Sequence, residues 1–172
     1  LWIFAYGSLI WDPALDFAEV RRARAVRHAR QMILVDTYGG RGTAERPGLM
    51  AALDAGTGCD GLAFRIEEVK VDAETDILFR REMIGPGYLH RFVPVTVDGV
   101  ETRALTFLAD HDDPLMRPGI TRAEQVRFLA TGRGFLGTSA DYLRNIVAHL
   151  HEMAIPDTDL DALLAEVEAE IA

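Results

Sequence analysis

Glu82 is the residue of this sequence whose position best suits acid–base chemistry. A helix is predicted over residues 72–83, "DAETDILFRREM", in which Leu78 and Phe79 lie four and three residues before Glu82. These spacings place the three side chains on adjoining parts of one helix face. A carboxylate buried where that face packs on a sheet has a raised pKa, which suits a group that takes and returns a proton. The simpler alternative is a glutamate at the edge of the apolar stripe that pairs with one of the two preceding arginines.

A second candidate lies in the opening segment, "LWIFAYGSLIW". Residues 1–6 predict a buried strand, because they are apolar on both faces, and Gly7 and Ser8 then interrupt it. Glycine lets the chain turn sharply, and successive backbone N–H groups without a strand partner form a concavity that binds anions. The alternative is an ordinary strand-ending turn. Ser8 is not expected to be a nucleophile, because Tyr6 and Ile10 occupy the glycine positions of the G-x-S-x-G elbow.

The sequence contains no recognisable phosphate-binding or metal-binding motif. The two glycine-rich segments, 38–48 and 132–139, contain no lysine and do not match G-x-x-x-x-G-K-[ST]. Neither H-E-x-x-H nor C-x-x-C is present, and His149 and His151 point in different directions from a predicted helix. We therefore expect no metal site. Tyr142, near the start of that helix, is either a core aromatic residue or a hydroxyl that reaches into a pocket.

Composition predicts an acidic globular protein. The 172 residues include 27 Asp and Glu against 18 Lys and Arg, for a net charge of −9, which argues against a nucleic-acid partner. The length favours a single domain over residues 1–172, and no apolar run approaches the roughly 20 residues that span a membrane. The single cysteine, Cys59, fits a reducing, cytoplasmic compartment. The basic segment 21–30, "RRARAVRHAR", is either an anion-binding patch or a solvated strand.

Strand patterns fill most of the first two thirds of the chain. Strands are predicted at 1–6, over 24–36 as one long or two short strands, and at 49–53, 61–66, 88–97 and 102–109. The dipeptide Asp98-Gly99 predicts a hairpin turn between the last two. The glycine-rich segments 38–48 and 132–139 are predicted as loops.

Helix signals lie mostly in the last third. Helices are predicted over 72–83 with Asp72 as N-cap, from a Thr121–Glu124 capping box to Gly132, from Thr138 through His151, and from Asp157 or Thr158 onward. Many strands followed by helices predict an α+β fold. We expect a small, mostly antiparallel β-barrel or curled sheet with flanking helices.

Four collinear segments resemble the ChaC-type γ-glutamylcyclotransferases, a family that acts on glutathione. "WIFAYGSLIW" resembles its Y-G-S-L signature, and "GGRGTAERPG" resembles its "HRGTPxxPG" loop. "RREMIGPGY" resembles the R-E and G-Y segment that carries the family's catalytic glutamate, which matches Glu82. "GRGFLGTSADYLRNIVAHLHEMAI" resembles the terminal block around D-Y-L, so the likeness covers most of residues 1–155.

The resemblance implies a γ-glutamylcyclotransferase-like fold and a reaction without water, ATP, metal or other cofactor. In this family the α-amine of a γ-glutamyl group attacks its own δ-carbonyl, so that 5-oxoproline forms and, from glutathione, Cys-Gly leaves. Glu82 is the implied acid and base. The implied substrate contacts are Ile3, Phe4, Ala5, Tyr6, Gly7, Ser8, Leu9, Arg41 and Tyr142.

Two other functions agree with the same residues. One is a cyclotransferase of the same fold that acts on another γ-glutamyl amine or γ-glutamyl amino acid. The other is a non-catalytic module that binds γ-glutamyl ligands. All three functions predict a small-molecule partner.

Overall fold

The computed structural model describes residues 1–172, which group into two compact units. Unit 1 comprises Leu1–Gln31 and Ala52–Asp110, and unit 2 comprises Met32–Ala51 and His111–Ala172. Two of the boundaries fall inside long strands, so each unit contains part of both strands. The single domain expected from the chain length stays a prediction.

Seven strands form one sheet. They are β1 (Trp2–Ala5), β2 (Glu19–Ala25), β3 (His28–Tyr38), β4 (Thr43–Ala55), β5 (Cys59–Arg65), β6 (Tyr88–Val97) and β7 (Val100–Ala109). Their order in the sheet is β1-β5-β2-β6-β7-β4-β3. Within unit 1, a parallel pairing of Ile3 with Leu105 joins β1 to β7 and closes five strands into a barrel. The other four pairings of this barrel are antiparallel, which confirms the predicted α+β fold.

The barrel strands show two patterns of burial. In β6, Val93, Val95 and Val97 are buried, whereas the residues between them are partly exposed. This alternation follows from the strand period of two, which points successive side chains to opposite faces. In β1, by contrast, Ile3 and Phe4 are both fully buried, as expected for a strand covered on both faces.

Four helices and a short hairpin complete the structure. Unit 1 contains α1 (Val71–Glu82); unit 2 contains α2 (Arg122–Thr131), α3 (Ser139–Glu152), α4 (Thr158–Ile171) and the paired strands β8 (Arg133–Gly134) and β9 (Gly137–Thr138). The predicted capping box is confirmed: Thr121 Oγ1 accepts from the Glu124 amide at 3.3 Å, and Glu124 Oε2 accepts from the Thr121 amide at 3.0 Å. No helix has both the length and the apolar character needed to cross a membrane.

The predicted start of α1 is wrong. The helix begins at Val71, directly after a 3-10 turn over Glu68–Lys70, and Lys70 occupies the cap position without a side-chain hydrogen bond. Asp72 lies in the first turn instead, where a carboxylate interacts favourably with the positive end of the helix dipole. The preceding turn extends the helical backbone, so a side-chain cap is not needed at this end.

The glycine-rich segments are also more ordered than predicted. The segment 38–48 is not all loop, because β4 already starts at Thr43, and the segment 132–139 contains the β8–β9 hairpin. Gly42 and Gly48 lie so close that a Cβ on Gly42 would overlap the backbone of Gly48. These glycines therefore permit close backbone packing. A glycine-rich composition alone does not distinguish such packing from a flexible loop.

The β6–β7 turn offers a test of backbone strain. Asp98 and Gly99 have φ angles of 48° and 79°, as a two-residue hairpin turn of type I′ requires. An added Cβ at Gly99 meets no atom within 4 Å, so Gly99→Ala isolates the backbone term. We expect urea denaturation to show a loss of about 1 kcal/mol in the free energy of unfolding.

Gly119→Ala is the matched control. An added Cβ at Gly119 also meets nothing within 4 Å, but Gly119 does not have a positive φ. We expect this change to raise the free energy of unfolding by about 0.5 kcal/mol, because alanine restricts the unfolded chain. Equal effects of the two substitutions would contradict the assigned turn.

Candidate active site

The chain leaves β1 through a single turn of 3-10 helix. This turn spans Ser8–Ile10, with Gly7 at the N-cap position. Its hydrogen bonds start at the amide of Ile10, which donates to the Gly7 carbonyl at 2.9 Å. The amides of Gly7, Ser8 and Leu9 precede that bond and have no acceptor inside the turn. We refer to this segment as the 7–10 turn.

Tyr6 fixes the start of the 7–10 turn at two points. Its hydroxyl donates to the carbonyl of Phe107 at 2.8 Å, and its own carbonyl accepts from Arg30 Nε at 2.6 Å. Arg30 Nη2 also donates to the carbonyl of Asp60 at 2.6 Å. Tyr6 is therefore held by a hydrogen bond from its own side chain to β7 and by one from the Arg30 side chain of β3.

Arg30 separates the basic segment 21–30 into two parts. Arg21 and Arg24 are exposed and pair with nearby carboxylates, as expected for a solvated strand. Arg30 instead binds the backbone beside the 7–10 turn. The sequence pattern did not single out Arg30, because the residue that it binds is 24 positions away.

The remaining residues of the opening segment lie in the barrel. Ile3, Phe4 and Ala5 are fully buried in β1, and the carbonyl of Phe4 accepts from Thr106 Oγ1 at 3.0 Å. Leu9, in the turn, is also buried. The side chains of these four residues therefore fill the core beneath the 7–10 turn.

Glu82 is the last residue of α1, and 17% of its side chain is exposed. Leu78 is fully buried, and the ring of Phe79 packs edge-on against Phe107, with ring centroids 6.0 Å apart. This is the helix face that the spacing predicts. Burial raises the pKa of Glu82, while the positive charge of Arg81 opposes the rise.

Arg81 connects the end of α1 to the 7–10 turn. Its Nε lies 3.3 Å from Glu82 Oε1, its Nη2 donates to Ser8 Oγ at 3.4 Å, and its Nη1 lies 3.4 Å from Asp12 Oδ2. Arg80, the other arginine considered as a partner, pairs with Asp76 along the helix. The ion pair of the simpler interpretation therefore exists, but it places Glu82 beside the first signature segment.

Arg41 and Tyr142 meet in unit 2. The guanidinium carbon of Arg41 lies 5.7 Å from the centroid of the Tyr142 ring, within the range of a cation–π contact. Tyr142 is buried, and its hydroxyl accepts from the amide of Ala51 at 3.3 Å. Arg41 Nη1 also donates to the carbonyl of Thr138 at 3.4 Å. Tyr142 therefore combines a core position with a hydroxyl bound to the backbone.

Asp36 positions Arg41 and was not found from the sequence. It is buried, and its carboxylate accepts from the amides of Tyr38, Arg41 and Gly42. An aspartate whose side chain bonds amides two or more residues ahead organises a tight turn. The signal was present, because Asp36 is shortly followed by Gly39-Gly40, but a turn aspartate is too common to mark a functional segment.

The family model for ChaC-like proteins matches residues 1–170. The chain belongs to the ChaC-like family. Over 174 residues, this ChaC-like chain is 37% identical to the glutathione-specific gamma-glutamylcyclotransferase of Escherichia coli (strain K12), with 100% of this chain and 74% of the relative covered. It is 29% identical over 175 residues to the human glutathione-specific gamma-glutamylcyclotransferase 1, with 98% and 78% covered.

The ChaC-like fold also matches solved structures. A crystal structure of the selenomethionine-labelled yeast γ-glutamyl cyclotransferase specific to glutathione superposes with a TM-score of 0.90 at 20% identity. The match covers 98% of this chain and 96% of that chain. At this identity the likeness supports the fold, including the five-stranded barrel.

Two groups of the expected residues are brought together in this ChaC-like chain. In unit 1, the 7–10 turn and Glu82 share Arg81. In unit 2, Arg41 lies on Tyr142. No group of three or more His, Cys, Asp or Glu side chains could hold a metal ion, and Cys59 is buried in β5.

The raised pKa of Glu82 makes a prediction about stability. A carboxyl whose pKa is higher in the folded than in the unfolded state stabilises the fold when protonated, and that contribution is lost as pH rises. Glu82→Gln cannot ionise. We therefore expect the free energy of unfolding of this variant, relative to the unchanged chain, to increase from pH 4 to pH 7 in urea denaturation.

Glu168→Gln should behave in the opposite way. Glu168 pairs with Arg144, which lowers the pKa of its carboxyl, so its contribution to stability is present at neutral pH and lost on acidification. This variant should be less stable than the unchanged chain at pH 7, with a difference that shrinks toward pH 4. The same pH trend in both variants would contradict the burial assigned to Glu82.

Proposed function

We propose that this ChaC-like chain is a glutathione-specific γ-glutamylcyclotransferase that converts glutathione into 5-oxoproline and Cys-Gly. Its bacterial and human relatives carry the name of this activity, and the family model matches nearly the whole chain. The observation that carries the proposal is the half-buried Glu82 carboxylate, connected through Arg81 to the 7–10 turn. We also propose a cytoplasmic location, which the free cysteine favours.

Glu82 is proposed as both base and acid. The α-amine of the γ-glutamyl group is protonated at neutral pH, so a base must remove a proton before the nitrogen attacks the δ-carbonyl. The new C–N bond closes the ring of 5-oxoproline, and the C–N bond to Cys-Gly breaks as its nitrogen receives a proton. A carboxyl whose pKa is raised by burial can perform both transfers near neutral pH.

The 7–10 turn is proposed to bind negative charge of the substrate. The amides of Gly7, Ser8 and Leu9 have no acceptor within the turn and are suited to the α-carboxylate or to the developing oxyanion. Such donors stabilise a transition state most when they are fixed beforehand. The two hydrogen bonds of Tyr6 supply that rigidity.

Because the reaction is intramolecular, positioning contributes much of the rate. Holding the γ-glutamyl chain folded brings its amine onto its own carbonyl without a second reactant. The family resemblance implies that the β1 residues Ile3, Phe4 and Ala5 are substrate contacts. Because their side chains are fully buried, we propose that they contribute by fixing the backbone that leads to the 7–10 turn.

Glu82→Gln tests the central assignment. Incubation with glutathione should yield 5-oxoproline and Cys-Gly from the unchanged chain, and the variant should lose at least about 100-fold in turnover, since glutamine cannot transfer a proton. Chromatographic quantification of both products is the measurement. Glu68→Gln, at an exposed glutamate before α1, should retain activity. Full turnover by the Glu82 variant would disprove the assignment.

Competing substrates separate this proposal from its alternatives. Higher kcat/KM for γ-glutamyl-alanine or γ-glutamyl-lysine than for glutathione would favour a cyclotransferase of different specificity. Binding of glutathione in a calorimeter without product would favour a non-catalytic module.

Arg41 and Tyr142 are proposed as further substrate contacts. Arg41→Gln should remove a cation that the structure holds on an aromatic ring, and we expect KM for glutathione to rise while kcat changes little. Steady-state kinetics measure the two terms separately. Arg46→Gln, an exposed arginine five residues later, is the control and should leave both constants unchanged. An unchanged KM in the Arg41 variant would remove Arg41 from the binding residues.

A further inference from the structure

The guanidinium of Arg81 is shared among three side-chain oxygens from different parts of unit 1. Each of its nitrogens faces a different partner: Nε faces Glu82, Nη1 faces Asp12 and Nη2 faces Ser8, at 3.3 to 3.4 Å. A guanidinium is planar and its donors are fixed relative to one another. The position of each partner is therefore coupled to the positions of the other two.

Asp12 is held where it can compete for this charge. Its amide donates to the carbonyl of Ser8 at 3.0 Å, so the backbone of the 7–10 turn fixes the residue that carries the carboxylate. The Asp12 side chain is 65% exposed, against 17% for Glu82. Its ion pair with Arg81 is therefore more strongly screened by water, although the two distances are nearly equal.

From this geometry we infer that Asp12 and Arg81 are positioning residues for Glu82. Arg81 holds the Glu82 carboxylate beside the 7–10 turn, and Asp12 withholds part of the arginine's charge from it. The inference rests on the proposed function of Glu82. It adds a residue, Asp12, that lies outside the segment matched to the catalytic glutamate.

The division of the Arg81 charge suits Glu82 to both accepting and returning a proton. A glutamate paired with an undivided cation stays ionised at neutral pH and returns a proton poorly. A glutamate buried without a cation stays protonated and accepts a proton poorly. Dividing the charge of Arg81 between Asp12 and Glu82 keeps the carboxyl between these extremes.

Other titratable groups near α1 do not provide this charge. The charge of Arg81 lowers the pKa of Glu82 against the larger effect of burial. Tyr6, from the end of β1, donates its hydroxyl to a backbone carbonyl. His90, from β6, contacts α1 through the ring of Phe79.

The pH dependence of kcat/KM for glutathione tests the inference, because its acidic limb reports the proton of the essential base. Asp12→Asn leaves the full charge of Arg81 to Glu82, so the limb should move to lower pH. Arg81→Gln removes the cation, so the limb should move to higher pH by about 1 unit. In the double variant, Asp12→Asn should cause no further shift, because Arg81, through which Asp12 acts on Glu82, is absent.

Arg80 and Asp76 supply the matched controls. They form an ion pair of the same chemistry on the same helix and make no hydrogen bond or ion pair with Glu82. Arg80→Gln and Asp76→Asn should leave the acidic limb unchanged. Limbs that move in the same direction in the Asp12 and Arg81 variants, or additive shifts in the double variant, would overturn the inference.

A direct titration distinguishes this failure from failure of the proposed function. Carbon-13 NMR of glutamate-labelled protein measures the pH at which the Glu82 carboxyl loses its proton, without any need for turnover. The Glu82 signal is assigned by its loss in Glu82→Gln. If the unchanged chain makes no 5-oxoproline, the proposed function fails, whereas opposite shifts of this signal in Asp12→Asn and Arg81→Gln still support the charge division.

If Arg81→Gln does not fold, Arg81→Lys keeps the charge without the planar fork. It should lower kcat while moving the limb less than 1 unit.

Discussion

The pairing of β1 with β7 is the constraint on which the rest of unit 1 depends. β1 is bonded to β5 on one edge and meets β7 on the other through Ile3 and Leu105. The ladder between β1 and β5 ends at the pairing of Ala5 with Leu62, and the chain then leaves the sheet. The first amides of the turn that follows therefore have no strand partner.

The contacts of Tyr6 extend this constraint into the turn. The Tyr6 hydroxyl donates a hydrogen bond to β7, the strand that closes the barrel. The backbone carbonyl of Tyr6 accepts a hydrogen bond from Arg30 of β3. Barrel closure and turn geometry are therefore mechanically linked. A substitution that destabilises β7 should therefore also alter the backbone position of Gly7, although no residue of β7 belongs to the signature segment.

At Glu82 burial and the charge of Arg81 act on the carboxyl pKa in opposite directions. Burial disfavours the charged carboxylate, whereas Arg81 favours it, and burial is the larger effect. Ion pairs at partly exposed positions are weakened by water, so the 24% exposure of Arg81 limits how far it can compensate. The protonation of Glu82 therefore depends on how strongly Arg81 acts on it, and the other partners of Arg81 bear on that strength.

Local signals predicted local structure well. The capping box at Thr121 and Glu124 and the Asp98-Gly99 turn were read correctly, because the interacting groups lie within three residues of each other. The face of α1 that carries Leu78 and Glu82 followed from helix periodicity alone. The order of strands and helices predicted an α+β fold with a small antiparallel barrel, but no local pattern specifies a parallel closing pair such as Ile3 and Leu105.

Contacts between distant segments could not be predicted. Arg30 looked like one of several surface arginines, and no sequence signal singled out Asp12, because their partners are set by the folded chain. The start of β4 was missed for a related reason. Its glycines pack against other backbone segments, and the sequence does not say what approaches them.

That close packing changes how the glycine-rich signature should be understood. Gly42 and Gly132 both pack on the backbone at Gly48, so three stretches of main chain cross with no side chain between them. Side chains at these positions would force the stretches apart, whichever residues carry out the reaction. The glycines of the R-G-T and R-P-G motifs, which help identify the family, therefore mark a place where main-chain segments cross at close range. A chain that kept those glycines and lost Glu82 would still match the family at this segment while lacking its proposed base.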